Sequence, residues 1–156
     1  MPSPDTLNFL RHFEGLRTSP YRDTRGLWTW GYGCRITDPL LIAAIENDTS
    51  FRLTLEQADA LLLAATWIAE ANARFLFPTF STFTPNQKTA LISLSFHCGG
   101  PNLARFRQLT LAVNSHDWPQ AALEVLFVDG ANPTLASDYA TEFPDRAKAT
   151  ADLLTS

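Results

Sequence analysis

Apolar residues recur every three or four positions along most of the chain, which is the spacing of helices that bury one face. A short pattern of this kind follows Ser3-Pro4 and stops at Gly15, so a first helix is expected there. A longer one runs from the capping-box sequence Thr54-Leu55-Glu56-Gln57 to about Leu76. A helix of roughly 20 residues spans about 30 Å, which suits a strut between two parts of the molecule.

The helical pattern continues through the C-terminal two-thirds of the chain. Thr84-Pro85-Asn86-Gln87 repeats the capping logic and opens a helix that is expected to end at Gly99. Leu91, Leu94 and Cys98 are its expected buried stripe. Further helices are expected over about 102–113, 119–127 and 144–154.

Residues 21–36 show a different pattern, in which aromatic and β-prone residues alternate and glycines interrupt them. Thr24-Arg25-Gly26 is a plausible turn, so we expect a small hairpin or a three-stranded sheet, followed by loops and one short helix over 37–53. The pattern therefore predicts a mainly helical α+β domain. We expect a small β-containing lobe at about 15–53 and a helical lobe formed by 54–156 together with 1–14.

Composition narrows the class of protein. The 156 residues are 46% hydrophobic and 18% charged, as in one globular domain, and 12 Lys and Arg against 16 Asp and Glu argue against nucleic-acid binding. The sequence has neither a membrane-length apolar run nor a secretory signal, so we expect synthesis in the cytoplasm and no membrane insertion. Cys34 and Cys98 are expected to be free thiols, although a disulfide between them stays open.

Two carboxylates and a hydroxyl near the N-terminus carry the candidate chemistry. Glu14 ends a helix beside apolar residues, whereas Asp23 lies in a polar hairpin, so their pKa values should move apart. Glycosidic cleavage needs one protonated acid and one carboxylate. Taken singly, each is also an ordinary helix-end or turn residue. The aromatic strand of Trp28, Trp30 and Tyr32 fits sugar stacking and core packing equally well.

The sequences E-G-L-R at 14–17, Y-x-D-T-x-G at 21–26 and T-x-G-Y-G at 29–33 resemble the phage-type lysozymes, or endolysins, of glycoside hydrolase family 24. The resemblance implies a lysozyme-like fold with a cleft between the lobes, and hydrolysis of the β-1,4 bond between N-acetylmuramic acid and N-acetylglucosamine. It makes Glu14 the general acid, Asp23 the second carboxylate, and Thr29 the group that holds the attacking water. A water-activating Asp23 means an inverting reaction.

The resemblance also implies a set of binding residues. Tyr32, Gly33 and His97 become candidates for substrate binding, and Arg146 the candidate that orients Glu14. The chain departs from the family where Cys34 replaces the histidine after G-x-G, and where Phe96-His97-Cys98-Gly99 replaces F-N-x-G. His97 could equally be a structural residue, and Arg146 a solvated helix residue.

The resemblance implies bacterial peptidoglycan as the partner, and a monomer that needs no cofactor. We expect no metal site, because the spacing of the three histidines does not suit metal ligands. The enzyme would act in the periplasm or on the cell wall. It would reach this place by release through a phage pore or by delivery through a secretion or tail apparatus, and an immunity protein could inhibit it. A lytic transglycosylase and a non-catalytic peptidoglycan-binding module are the alternatives. A cysteine peptidase using His97 is weaker, because the side chains of His97 and Cys98 diverge on a helix.

Overall fold

The computed structural model describes residues 2–156. The helices are α1 (Pro4–Glu14), α2 (Pro39–Asn47), α3 (Leu55–Leu76), α4 (Pro85–Cys98), α5 (Gly100–Leu103), α6 (Arg107–Asn114), α7 (Trp118–Leu126), α8 (Asp138–Glu142) and α9 (Pro144–Thr155). The strands are β1 (Arg17–Arg22), β2 (Trp28–Gly31) and β3 (Cys34–Arg35). The predicted mainly helical α+β architecture is confirmed.

Side-chain caps fix where the main helices begin. Ser3 caps α1, and Thr54 and Thr84 form complete capping boxes at α3 and α4. Each cap satisfies backbone N–H groups that the first turn leaves unpaired. The predicted starts of these helices are therefore confirmed, as is the end of α3 at Leu76.

The sheet is a small antiparallel meander with the strand order β1-β2-β3. Tyr21 pairs with Thr29, and Trp30 pairs with Cys34. The predicted turn at 24–26 is present, and Gly26 N donates to Asp23 O at 2.9 Å. The turn thus returns the chain so that Asp23 and Thr29 lie close to each other on either side of it.

Two expectations about the helical part need correction. The helix expected over 102–113 is broken between α5 and α6, because the amide groups of Arg105 and Phe106 donate to carbonyls three residues back and tighten the chain into turns. In α4, Leu91 and Leu94 are buried as expected, but Cys98 is only half-buried, and Thr89 and Ser93 are buried as well. Packing against α1, α3, α5 and α9 surrounds this helix.

Buried apolar residues form two clusters. The sheet cluster consists of Leu10, Trp30, Tyr32, Cys34, Ile36, Ile45, Leu53, Ala58 and Leu62. The helical cluster draws on the second half of α3 (Ala69, Ala73) and on α4, α6, α7 and α9. Helix α3 therefore contributes to both clusters. None of the helices in residues 2–156 has the length and apolar character needed to cross a membrane.

Helix α1 connects the two clusters. Its Leu10 is fully buried in the sheet cluster, while Thr6 Oγ1 lies 2.8 Å from Thr89 Oγ1 on α4. Helix α1 therefore packs against both parts of the molecule. This packing fixes the C-terminal end of α1, where Glu14 lies.

Candidate active site

An ion pair between Glu14 and Arg146 lies at the centre of the candidate site. Glu14 is the last residue of α1, and Arg146 lies in the first turn of α9. Arg146 Nη1 is 2.6 Å from Glu14 Oε1, and the side chains of Arg146 and Glu14 are 4% and 16% exposed. The structure therefore brings the proposed acid and its proposed orienting residue together.

The environment of Glu14 favours its protonated form. Burial raises the pKa of the carboxyl, and the charge and hydrogen bond of Arg146 offset this rise only in part. Glu14 therefore keeps its proton to a higher pH than an ordinary glutamate. A general acid that works near neutral pH requires a shift in this direction.

A second contact holds Arg146 in place. Its Nη2 donates to Ser93 Oγ at 3.2 Å and approaches Ser93 O at 3.5 Å, both in the middle of α4. The guanidinium thus links α9, α4 and α1. The sequence did not indicate Ser93, because a serine inside an apolar helix has no distinguishing pattern.

Asp23 lies in the opposite environment, partly exposed to solvent at the start of the hairpin turn. Its Oδ1 accepts hydrogen bonds from Leu27 N at 2.8 Å and from Arg25 N at 2.9 Å. These bonds, first that of Leu27, and the charge of Arg25 lower the pKa of Asp23. Asp23 is therefore a carboxylate under conditions in which Glu14 still tends to hold a proton.

Thr29 is tied to Asp23 through the backbone of Leu27. Leu27 O accepts from Asp23 N at 2.9 Å and from Thr29 Oγ1 at 3.1 Å. Thr29 is 4% exposed, so its side chain is held rather than free to rotate in solvent. Because the hydroxyl donates its proton to Leu27, its oxygen lone pairs remain able to accept a hydrogen bond.

Tyr21 connects the two acids electrostatically. Burial is the main cause of its raised pKa, and the charges of both Glu14 and Asp23 raise it further, while that of Arg17 lowers it. Tyr21 is therefore close enough to both carboxyls to be influenced by each. Sequence reasoning missed this residue, which lies near the end of β1, two positions before Asp23.

Gly33 makes room for the Glu14 carboxyl. Its φ is +76°, and a Cβ at this position would lie 3.1 Å from Glu14 Oε2. Both the backbone conformation and the space therefore favour glycine. The predicted binding residue Gly33 lies directly beside the acid.

The structure does not bring Tyr32 to an accessible surface. Its side chain is 5% exposed in the sheet cluster, beside Arg11, which pairs with Asp59 at 3.0 Å. Trp30 is similarly buried, at 7%. The aromatic strand thus serves core packing, and the ring of Tyr32 leaves no open face on which a sugar could stack.

His97 lies half-buried at the C-terminal end of α4, packed against two aromatic rings. Its ring centroid is 5.0 Å from that of Tyr139 and 4.7 Å from that of Phe143. Burial, then the charges of Arg146 and Arg25, lower the pKa of His97 to about 4. The imidazole is therefore neutral at neutral pH.

Residues 2–156 offer neither a reactive thiol nor a cluster of metal ligands. Cys34 and Cys98 are free, and burial raises the pKa of both, that of Cys34 to about 11. A thiol with a raised pKa is a poor nucleophile, which disfavours the cysteine peptidase alternative. Across residues 2–156, no group of three or more His, Cys, Asp or Glu residues could hold a metal ion.

The chain matches a known protein family. The family model described as phage lysozyme matches residues 11–134. This stretch contains Glu14, Asp23 and Thr29 and ends before Arg146. No curated protein matches the chain in sequence.

We predict that Gly33→Ala alters the Glu14 carboxyl in addition to straining the backbone. The new methyl group would pack against Glu14 Oε2 and remove solvent from it, so the pKa of Glu14 should rise further. Gly26→Ala is the matched control, because Gly26 has a φ of +74° but a Cβ there would meet nothing within 4 Å. Both variants should lose about 1–2 kcal/mol of stability. Carboxyl NMR titration that shows an unchanged Glu14 pKa in Gly33→Ala would contradict this role.

We predict that Arg146→Ala destabilises the protein more at neutral pH than at acidic pH. Without the guanidinium, the folded-state pKa of Glu14 rises further above its unfolded value. Stability is then retained below the unfolded pKa and lost as the pH rises through the folded one. Removing one partner of a buried pair costs about 3–5 kcal/mol when the other is charged.

Urea unfolding at acidic and neutral pH measures this difference. Lys148→Ala is the control on the same helix, because Lys148 pairs with Asp152 at 2.7 Å on the exposed surface and should matter little at either pH. An Arg146→Ala destabilisation that is equal at both pH values would separate Arg146 from the ionisation of Glu14.

Proposed function

The chain belongs to the phage lysozyme family, a family of peptidoglycan-hydrolysing glycosidases, and we propose that it is a muramidase that cleaves the β-1,4 bond between N-acetylmuramic acid and N-acetylglucosamine. The opposite pKa shifts of Glu14 and Asp23 carry this proposal. Two carboxyls kept in different protonation states are what hydrolysis of a glycosidic bond requires. The reaction makes the protein bacteriolytic, either in phage lysis or as a delivered antibacterial enzyme.

Glu14 acts as the general acid in this proposal. Its proton passes to the glycosidic oxygen as the bond to the sugar carbon breaks. The carboxylate that remains is next to Arg146, whose guanidinium is already in position to stabilise the new negative charge. Arg146 is thus a positioning residue, which orients Glu14 before the proton transfer and stabilises it afterwards.

Asp23 and Thr29 act on the water. The ionised Asp23 accepts a proton from the water that attacks the sugar carbon, and the Thr29 oxygen accepts a hydrogen bond from the same water. Because Leu27 holds both residues through its peptide groups, their relative position is fixed by the hairpin itself. Attack from the face opposite the leaving group inverts the configuration.

A lytic transglycosylase or a binding module would not need both carboxyls in different protonation states. A lytic transglycosylase would cleave the same bond without water and would not need a second carboxylate, yet Asp23 is held ionised by two backbone N–H groups. A binding module would not need an acid with a raised pKa at the end of α1. The arrangement therefore favours hydrolysis.

Products of purified peptidoglycan distinguish the three functions. We expect mass spectrometry to show muropeptides with reducing ends, and NMR of a fresh digest to show the α anomer as the first product of the β-linked substrate. Anhydro ends would identify a transglycosylase, and absence of cleavage would identify a binding module. A β anomer formed first would exclude Asp23 as the base that activates water.

Glu14→Gln should abolish clearing of outer-membrane-stripped cell walls, because glutamine has no proton to donate. A turbidity assay should show a loss on the order of 10²–10⁴-fold. Glu56→Gln is the matched control, since Glu56 is exposed in the first turn of α3 and should leave the rate unchanged. Circular dichroism checks that both variants fold. A Glu14→Gln rate close to that of the parent would remove Glu14 from the mechanism.

A further inference from the structure

The outward face of α3 is apolar along most of its length. Residues that are exposed on this face recur at helical spacing and include four large side chains: Ala60, Leu63, Ala64, Trp67, Ile68, Ala71 and Phe75. We call these seven residues the α3 stripe. The opposite face of the helix is buried against the two clusters, so the stripe points away from the rest of the domain.

The α3 stripe is more apolar than the solvent-exposed face of an ordinary surface helix. Phe75 is 91%, Ile68 65% and Trp67 46% exposed. Across residues 57–73, no exposed residue of α3 is charged. A helix on a protein surface normally presents charged or polar residues to solvent, and a contiguous apolar face marks an interaction surface.

We propose that the α3 stripe is the interface of a dimer, in which two copies of α3 pack antiparallel about a two-fold axis between Trp67 and Ile68. In this register Phe75 of each copy faces Ala60 of the other. Ala64 of each copy faces Ala71 of the other, so the helices can approach closely. The pattern is self-complementary, as a two-fold interface must be.

The charges near the stripe permit this register. Glu56 and Arg74, the exposed charged residues of α3, lie outside the central part of the stripe. Arg74 would face Leu61 of the second copy and Glu56 would lie beyond its helix end, so no like charges meet. Asp59 is already paired with Arg11 of its own chain. Arg74 is paired with Glu70 of its own chain at 2.6 Å, and apart from it the second copy meets an uncharged surface.

The exposed area is enough for a modest, reversible dimer. At their observed exposures Phe75 and Trp67 alone offer roughly 300 Å². Ile68, Leu63 and the three alanines add to this, and a standard interface buries about 800 Å² on each partner. We therefore expect dissociation in the micromolar range, and the dimer replaces the monomer expected from the sequence.

A lipid surface fits the α3 stripe less well. Helices that lie on membranes carry lysine and arginine beside their apolar face, which attract anionic headgroups. The exposed charged residues of α3 are one arginine and one glutamate, and the whole chain carries a net charge of −4. The stripe therefore lacks the basic border that would attract an anionic membrane.

Sedimentation velocity over a concentration series through the micromolar range tests the dimer and its register. The parent should dimerise reversibly. Ala64→Glu or Ala71→Lys alone should weaken dimerisation on the order of 100-fold or more, because each places an unpaired charge in an apolar contact. The double variant should recover dimerisation, since each glutamate then faces a lysine of the other copy. In a parallel pair, the same double variant would oppose like charges and remain monomeric.

Leu40→Glu on α2 is the control, because Leu40 is 82% exposed outside the α3 stripe and should not affect dimerisation. Thermal melts check that every variant folds. A parent that stays monomeric, or a dimer that survives both single substitutions, would overturn the proposal. So would a double variant that stays monomeric. A monomeric parent that co-sediments with neutral phosphatidylcholine vesicles would instead assign the stripe to lipid.

Discussion

The candidate site depends on one nearly buried ion pair between the two ends of the chain. Glu14 ends the first helix and Arg146 begins the last, and Ser93 in α4 holds the guanidinium between them. Burial of two charges is costly unless geometry and further hydrogen bonds compensate. The pair therefore exists only when three helices pack correctly, so the acid acquires its properties from the tertiary fold as a whole.

The lowered pKa of the second carboxyl, that of Asp23, has a local cause. Asp23 takes its low pKa from the N–H groups of its own turn, and Thr29 is fixed to the same turn through Leu27. The hairpin thus fixes the relative position of Asp23 and Thr29 with few distant contacts. The site combines this local half with the long-range half around Glu14. Gly33 is where the two halves meet, because its missing side chain leaves room for the Glu14 carboxyl.

This division also explains what the sequence could predict. Capping boxes, prolines and the hairpin turn are local signals, and they correctly placed the starts of α3 and α4 and the turn after Asp23. Burial by distant elements has no such signal. The sequence therefore left sugar stacking and core packing equally open for the aromatic strand, whereas Tyr32 lies in the sheet cluster. The break before α6 was missed because the apolar spacing continues through it.

Helix α3 carries more apolar residues than its position in a single domain requires. On the inner face, Ala58, Ala69 and Ala73 are small and fully or almost fully buried, so the neighbouring elements can pack close to the helix. This face alone would stabilise the strut between the two clusters. The outer face carries Trp67 and Phe75, which contribute nothing comparable while they are in water. A helix that is apolar on both sides is characteristic of burial on both sides, and the proposed dimer would bury the second side of α3.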